Sequence, residues 1–208
     1  MLTLHHLAYS RSLRVLWLLE ELGVDFDIVE YERTKEFGAP AELGQVHPLG
    51  KAPVIVDDDL VLAESSAILR YLHGKYGSGA LMPPAGTNAH ALATEWLDYV
   101  ESSAGLPIMI LLLGQRTGGL NEGLAAFAGE QVRATLAYIA AGIGDGPFLM
   151  GERLTLADIQ MSFMLAVAEM AGLLGDQPVI ATYLDRLKQQ PAFERAIARG
   201  GPMTPPES

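Results

Sequence analysis

The 208-residue sequence predicts an α/β unit followed by an all-α bundle. Three observations carry that prediction. Up to residue 77, short apolar segments of strand length alternate with helix-length apolar runs. Residues 78–87, rich in Gly and Pro, then break the pattern, and beyond them apolar residues recur only at helical spacing. Half the residues are apolar and 19% are charged, which excludes a disordered chain. Lys and Arg number 14 against 25 Asp and Glu, a net charge of −11 spread over both halves, so neither nucleic acid nor an anionic membrane is expected as the main partner. The absence of cysteine excludes disulfides, thiolate-ligated metal and a thiolate nucleophile.

Each element has a local reason. Residues 2–7 alternate and form a first strand; Ser10-Arg11-Ser12 precedes the dense apolar run 13–22, a helix that Gly23 stops. Phe26, Ile28 and Val29 mark a second strand. A Gly- and Pro-containing stretch reaches Gly44, and residues 53–56 and 60–62 then flank Asp57-Asp58-Asp59 as a hairpin. A helix over 63–76 follows. The resulting order, β-α-β-(α)-β-β-α, is that of a thioredoxin-like unit over 1–77. Residues 78–87 read as a linker and 88–208 as the helical domain, with helices over 89–113, 122–143, 156–173 and 179–190 bounded by Gly and by Pro178 and Pro191. The start lacks the basic and long apolar regions of a signal peptide, and the apolar stretch 106–113 contains Pro107 and falls short of the ~20 residues that span a bilayer. A soluble, cytoplasmic protein with no membrane partner is expected.

Four fragments carry chemistry or its scaffold. Tyr9-Ser10-Arg11-Ser12 lies where a strand ends and a helix begins, so a Ser hydroxyl there either caps the helix or donates to a thiolate held at the positive end of the helix dipole. In His47-Pro48-Leu49-Gly50-Lys51-Ala52-Pro53, a cis bond before Pro53 would leave the Ala52 backbone to pair with a peptide-like ligand, with Lys51 as a cation for its carboxylate; an ordinary turn with a solvated Lys is the plain alternative. Glu64-Ser65 opens a helix directly after a strand. The pair either caps that helix or holds the two charges of an α-amino acid, Ser65 and the first-turn amides taking the carboxylate and Glu64 the ammonium. Thr155 and Asp158 have capping-box spacing, with Leu154 placed to staple against Ile159, and their expected role is folding.

Together these fragments, in this order, resemble the cytosolic glutathione transferase superfamily over nearly the whole chain. The stretches that carry the resemblance are SRSLRVLWLLEELG, HPLGKAPVI, AESSAILRYL, WLDYVESSAGLP and FLMGERLTLADI. The resemblance, of bacterial type, implies a glutathione-binding N-terminal domain and a helical domain that builds a hydrophobic substrate pocket. It implies that Ser10 activates the glutathione thiol, with Tyr9, Arg11 and Ser12 as rivals for that role. Ala52, before a cis Pro53, would pair with the cysteinyl part of glutathione, Glu64 and Ser65 would hold the γ-glutamyl end, and Lys51 would reach the glycyl carboxylate. The absence of cysteine departs from the cysteine-type classes, leaving a serine- or tyrosine-type member, and Ser-Arg-Ser departs from the Ser-Ser-Cys run of the isomerase class.

The implied function is detoxifying conjugation of the glutathione thiolate to small hydrophobic electrophiles, with peroxidase activity toward organic hydroperoxides beside it. A free thiol has a pKa of about 8.5, and a hydroxyl plus helix dipole lowers it by roughly two. Tyr99, Met109, Leu113 and Arg116, with Pro107 and Ile110, are candidates for the electrophile pocket, although apolar residues at helical spacing also read as core. Glutathione is the implied co-substrate and a homodimer the implied assembly, in which Asp98 or Glu101 of one chain would approach the γ-glutamyl amine bound by the other. No metal site is expected, because adjacent strand residues such as His5 and His6 point to opposite faces. A non-catalytic binding or regulatory protein on the same fold is the alternative.

Overall fold

The computed structural model describes residues 1–175 and 177–206. The chain forms two compact units: Met1–Leu81 together with the C-terminal stretch that begins at Lys188, and Met82–Leu187. The first holds a four-stranded sheet in the order β2-β1-β3-β4. Strand β1 (Leu2–Leu7) runs parallel to β2 (Asp27–Tyr31) and antiparallel to β3 (Val54–Asp57), which pairs antiparallel with β4 (Leu60–Ala63). The parallel β1–β2 pair requires a crossover, and helix α1 (Ser12–Leu22) supplies it.

Helix α1 is buried from Ser12 through Leu19, which is why its sequence is apolar on nearly every side. It ends where predicted, with Gly23 at φ 64° donating its N–H to the Leu19 carbonyl. Helix α2 (Leu43–Val46) is a single turn, and α3 (Ser65–Tyr76) packs on α1, β3 and β4.

At the sheet end formed by Leu2 and Asp57, the buried Asp57 carboxylate accepts from Lys75 Nζ at 2.7 Å and from the hydroxyls of Tyr71 and Tyr76 at 2.8 Å each. Burial alone would raise the Asp57 pKa, but the hydrogen bonds from Lys75, Tyr76 and Tyr71 outweigh it and hold the carboxyl below its usual range.

The second unit contains α4 (Asn88–Tyr99), a π-helical turn (Val100–Ala104), α5 (Gly105–Arg116), α6 (Glu122–Ile143), α7 (Leu156–Met170) and α8 (Pro178–Lys188), whose last residue meets the boundary. The sequence predicts one helix over 89–113, and the chain is indeed continuous there. The π-helical turn precedes Pro107 for a reason: in a regular helix the proline ring collides with the carbonyl four residues back, here Ser103, and a wider turn relieves that clash. By length and composition the run Asn88–Arg116 is apolar enough to cross a membrane, unlike the shorter stretch read from the sequence. It nonetheless buries Ala93, Trp96, Leu97, Val100, Ala104, Ile108 and Leu112 as a core helix does.

The predicted Thr155–Asp158 capping box is present. Asp158, fully buried, accepts from the N–H of Leu149 at 2.9 Å, from both the N–H and the hydroxyl of Thr155 at 2.8 Å, and from Tyr183 Oη at 2.7 Å. Its role is structural, as the sequence suggests.

One correction concerns the C-terminus. The sequence reading assigns everything after residue 87 to the helical domain, whereas α9 (Pro191–Gly200) belongs to the first unit and packs along α1. Pro191 starts it, Phe193 meets Trp17 edge-on at 5.1 Å, and Glu20 on α1 accepts from Arg195 at 3.1 Å and Arg199 at 2.7 Å. Nothing local in the sequence names a docking partner more than 170 residues away.

Replacing Asp57 with Asn should cost about 2 kcal/mol near pH 7, because hydrogen bonds to a charged group are lost. Since the folded-state pKa lies below the unfolded value of about 3.9, this contribution is present above that pH and lost as pH falls through the folded value. Denaturant unfolding of both proteins at several pH values should therefore show a gap at neutral pH that narrows below about pH 4. A gap independent of pH would contradict the assignment.

Candidate functional site

Strand register brings four chain segments to one end of the sheet. Val54 pairs with His5 on one side and with Ala63 on the other, while Leu7 pairs with Tyr31. The chain leaving β1 at Ala8–Arg11, the chain entering β3 at Lys51–Pro53, the chain leaving β4 at Glu64–Ser65 and the chain leaving β2 toward Arg33 must therefore meet there. Three of the four fragments singled out in the sequence lie at this end; the fourth, the capping box, lies in the other unit.

At the β1–α1 turn, Ser10 and Ser12 are buried and form a compact network. Their hydroxyl oxygens are 2.8 Å apart. The Ser12 N–H donates to Ser10 Oγ at 3.1 Å, the Leu7 N–H donates to Ser12 Oγ at 3.1 Å, and Ser10 Oγ lies 2.8 Å from the Leu7 carbonyl that can accept its proton. Ser12 Oγ is also 2.9 Å from His6 Nδ1, and His6 Nε2 is 2.9 Å from the Gly200 carbonyl on α9. A carbonyl only accepts, so Nε2 carries the hydrogen and, in the neutral ring, Nδ1 is left to accept from Ser12. Burial pulls the His6 pKa below its ordinary value, outweighing the upward pulls of the Gly200 carbonyl and Glu30, so the ring is neutral at pH 7. The two readings of Ser10 merge here: its oxygen satisfies a first-turn N–H of α1, as a cap would, and it sits at the positive end of that helix. Arg11 occupies the N-cap position, without a side-chain capping bond, and is half-buried.

Tyr9 has φ 54°, in the left-handed region that a side chain rarely adopts. Arg33 holds it there. Its guanidinium donates to the carbonyls of Tyr9 at 2.7 Å, Ala8 at 2.9 Å and Phe37 at 2.8 Å, and lies 4.3 Å from the centre of the Phe37 ring, on which the Tyr9 ring stacks. Among the described residues, the Tyr9 hydroxyl has no hydrogen-bond partner.

The Ala52–Pro53 bond is cis. Gly50, at φ 57°, shapes the turn before it and donates its N–H to the His47 carbonyl at 2.9 Å, leaving Lys51 exposed. Glu64 is the N-cap residue of α3, exposed and at φ 69°, while Ser65 beside it is buried. Behind Ser65 lies Arg14, a buried guanidinium on α1 whose Nη1 donates to Ser65 Oγ at 3.4 Å. This end of the sheet thus combines two helix N-termini, an exposed cation, an exposed carboxylate and a buried guanidinium. Such a set can hold a ligand with separated carboxylates, an ammonium group and a nucleophile that carries negative charge.

The electrophile-pocket candidates lie in the other unit. Tyr99 is half-buried in an aromatic cluster, 5.6 Å from Trp96 and 5.0 Å from Tyr138 between ring centres. Met109, Leu113 and Arg116 share one face of α5; Leu113 is 53% exposed and Arg116 is exposed. An open cleft of about 350 Å³ in that unit is lined by other residues, among them Leu111, Gly114, Leu120 and Ala125.

Sequence reasoning missed His6, Arg14, Arg33 and Gly200. Only Gly200 could be singled out afterwards by residue type: a Cβ there would stand 2.5 Å from Leu16 Cδ2 and 2.9 Å from His6 Nε2.

Comparison with known proteins bears on this arrangement. The family model for the glutathione S-transferase N-terminal domain matches residues 1–74. Glutathione S-transferase 3 of Schizosaccharomyces pombe is 31% identical over an alignment covering 92% of this chain and 78% of that protein. Glutathione S-transferase 1 of Saccharomyces cerevisiae is 28% identical, with 94% and 95% covered. Among solved structures, a glutathione S-transferase from Actinobacillus pleuropneumoniae superposes with a TM-score of 0.89 at 34% identity, covering 96% of this chain and 93% of that one.

Arg33→Ala should lower stability by about 2 kcal/mol, because two half-buried carbonyls and the exposed one of Phe37 lose a charged donor. Hydrogen exchange should show the backbone around residues 8–12 losing protection in step. Unchanged exchange in that turn would contradict the bracing role.

Proposed function

The chain belongs to the cytosolic glutathione S-transferase superfamily, and from that premise we propose how its residues divide the work. It is a glutathione transferase that takes glutathione as co-substrate. The observation that carries the division of roles is the register that gathers the Ser10, Pro53 and Ser65 turns at one end of the sheet.

Ser10 is the hydroxyl that donates to the glutathione sulfur. Its oxygen already accepts the Ser12 N–H, which polarises the O–H, and the α1 dipole favours negative charge beside it. Tyr9 is the rival, with a hydroxyl not engaged by any described residue; Ser12 is committed to His6 and Ser10, and Arg11 contributes charge near the helix start. The Ala52 backbone, presented before the cis Pro53, pairs with the cysteinyl segment as an added strand. Ser65 and the first-turn amides of α3 take the γ-glutamyl carboxylate, supported by the buried positive charge of Arg14, and Glu64 takes the α-ammonium. Lys51 pairs with the glycyl carboxylate.

The reaction is then nucleophilic. The thiolate, stabilised by Ser10 and the helix dipole, attacks an electrophilic carbon and expels its leaving group, or attacks a peroxide oxygen. Each pKa unit by which the site depresses the thiol represents about 1.36 kcal/mol of preference for the thiolate. Small hydrophobic electrophiles are the substrate class, with Tyr99, Met109, Leu113 and Arg116 as the residues that would select them. The protein acts in the cytoplasm as a homodimer, with Asp98 or Glu101 of each chain directed toward the other's γ-glutamyl amine.

Substituting Ser10 with Ala should raise the pKa of the bound glutathione thiol by about one or more while leaving affinity nearly intact. If Tyr9→Phe does so instead, the activating hydroxyl is Tyr9. Ser65→Ala should weaken glutathione binding by about 1–3 kcal/mol in a calorimetric titration, and unchanged affinity would remove its assigned role.

A further inference from the structure

We propose that His6, acting through Ser12 and Ser10, accepts the proton that the glutathione thiol loses on binding, and that the Gly200 carbonyl on the C-terminal helix sets His6 up to do so. The inference rests on the reading of Ser10 as the hydroxyl that meets the sulfur.

The fixed heavy atoms leave few places for each proton. In the resting protein, His6 Nε2–H points to the Gly200 carbonyl, so Ser12 donates to His6 Nδ1. The 2.8 Å contact between the serines then needs the Ser10 proton, which Ser10 gives to Ser12, with the Leu7 carbonyl, 2.8 Å from Ser10 Oγ and 3.1 Å from Ser12 Oγ, as a secondary acceptor beside it. When Ser10 turns its proton toward a thiolate, that contact loses its hydrogen, and two oxygens at 2.8 Å without one repel each other. Only Ser12 can supply a replacement, and in doing so it withdraws its proton from His6 Nδ1. His6 Nδ1 then faces the Ser12 oxygen with lone pair against lone pair, unless it carries a hydrogen of its own.

The balanced step follows. The thiol S–H bond breaks as an O–H bond forms at Ser10; the former Ser10 proton passes to Ser12, and the former Ser12 proton passes to His6 Nδ1. Nε2–H stays on the Gly200 carbonyl, and the other donors of the chain now point toward the sulfur: Nδ1–H to Ser12, Ser12 to Ser10 and Ser10 to the thiolate. The lone pairs close as well. Ser12 Oγ accepts from Leu7 N–H and from His6, and Ser10 Oγ accepts from Ser12 N–H and from the Ser12 hydroxyl. No heavy atom has to move between the two states.

The surroundings fit a ring that is neutral at rest and charged when loaded. Burial keeps His6 neutral without ligand, and the thiolate formed in the same step compensates the new imidazolium. Glu30, the register partner of His6 on β2, favours the charged ring. On α1, Glu20 is paired with Arg195 and Arg199 of α9, and Arg14 donates to Ser65, while Asp57 on β3 lies at the other end of the sheet. Gly200 allows the backbone approach on which the tautomer depends, because a Cβ there would meet His6 Nε2 at 2.9 Å. His6 is therefore a positioning residue that also receives a proton, tied to α9.

The test compares wild type, His6→Gln, Ser12→Ala and Ser10→Ala as full-length proteins. Three quantities are read: affinity for S-methylglutathione, which has no thiol proton; the pKa of bound glutathione by ultraviolet thiolate absorbance; and protons released per thiolate formed, from binding in two buffers. Glutamine keeps a donor for Gly200 but cannot serve as a base. The wild type should release fewer protons than thiolates formed. His6→Gln and Ser12→Ala should each release one per thiolate and show about tenfold less thiolate at a given pH below the transition, with S-methylglutathione affinity within about twofold. Full release by the wild type, with an unaltered thiol pKa in both variants while Ser10→Ala still raises it, overturns the relay and leaves the Ser10 reading standing. An unaltered thiol pKa in Ser10→Ala removes that reading and the relay with it. Should His6→Gln fail to fold, Ser12→Ala, which keeps the histidine, decides alone.

Discussion

The pairing of Val54 with both His5 and Ala63 is the constraint on which the rest of the site depends. A strand's side chains alternate between faces, so a register slip by one residue would turn His6 out of the interior and move the turns it aligns. As built, three backbone turns with opposite chemical offers, hydroxyl, peptide and helix N-terminus, are held by sheet hydrogen bonds rather than by loop contacts. That lends a small ligand-binding end the rigidity of secondary structure, and a thiolate can be stabilised only by groups already oriented when it forms.

Two arginines extend that order to the loops. Arg33 gathers three carbonyls and keeps Tyr9 in a backbone conformation it would not hold alone, while Arg14 carries positive charge from the interior of α1 to Ser65. In a protein with net charge −11, these two guanidiniums place positive charge at the end of the sheet to which we assign glutathione. Helix α9 plays a comparable part from the far end of the chain. Its Phe193 and two arginines dock it on α1, and the same docking brings the Gly200 carbonyl to His6.

Much of this was legible in the sequence because the signals are local. Gly23 as a helix stop, the turn before Pro53, the strand-to-helix step at Glu64-Ser65 and the Thr155–Asp158 box each depend on residues within a few positions of one another. What was not legible is long-range. Arg33 grips carbonyls 24 and 25 positions away, Arg14 reaches Ser65 across 51, and His6 meets Gly200 across 194. Periodicity marks such residues as charged or polar without saying what they meet. Helix α9 lies beyond the last helix read from the sequence, and even its amphipathic pattern does not name the surface that buries its face.

The chemistry proposed for this end of the sheet is the conversion of bound glutathione into a thiolate. Its most direct test is the pH titration of ultraviolet thiolate absorbance for glutathione saturating the wild-type protein, beside the same titration of free glutathione. The expected result is a bound thiol pKa at least one below the free value of about 8.5. Saturated binding with the free value unchanged would contradict it.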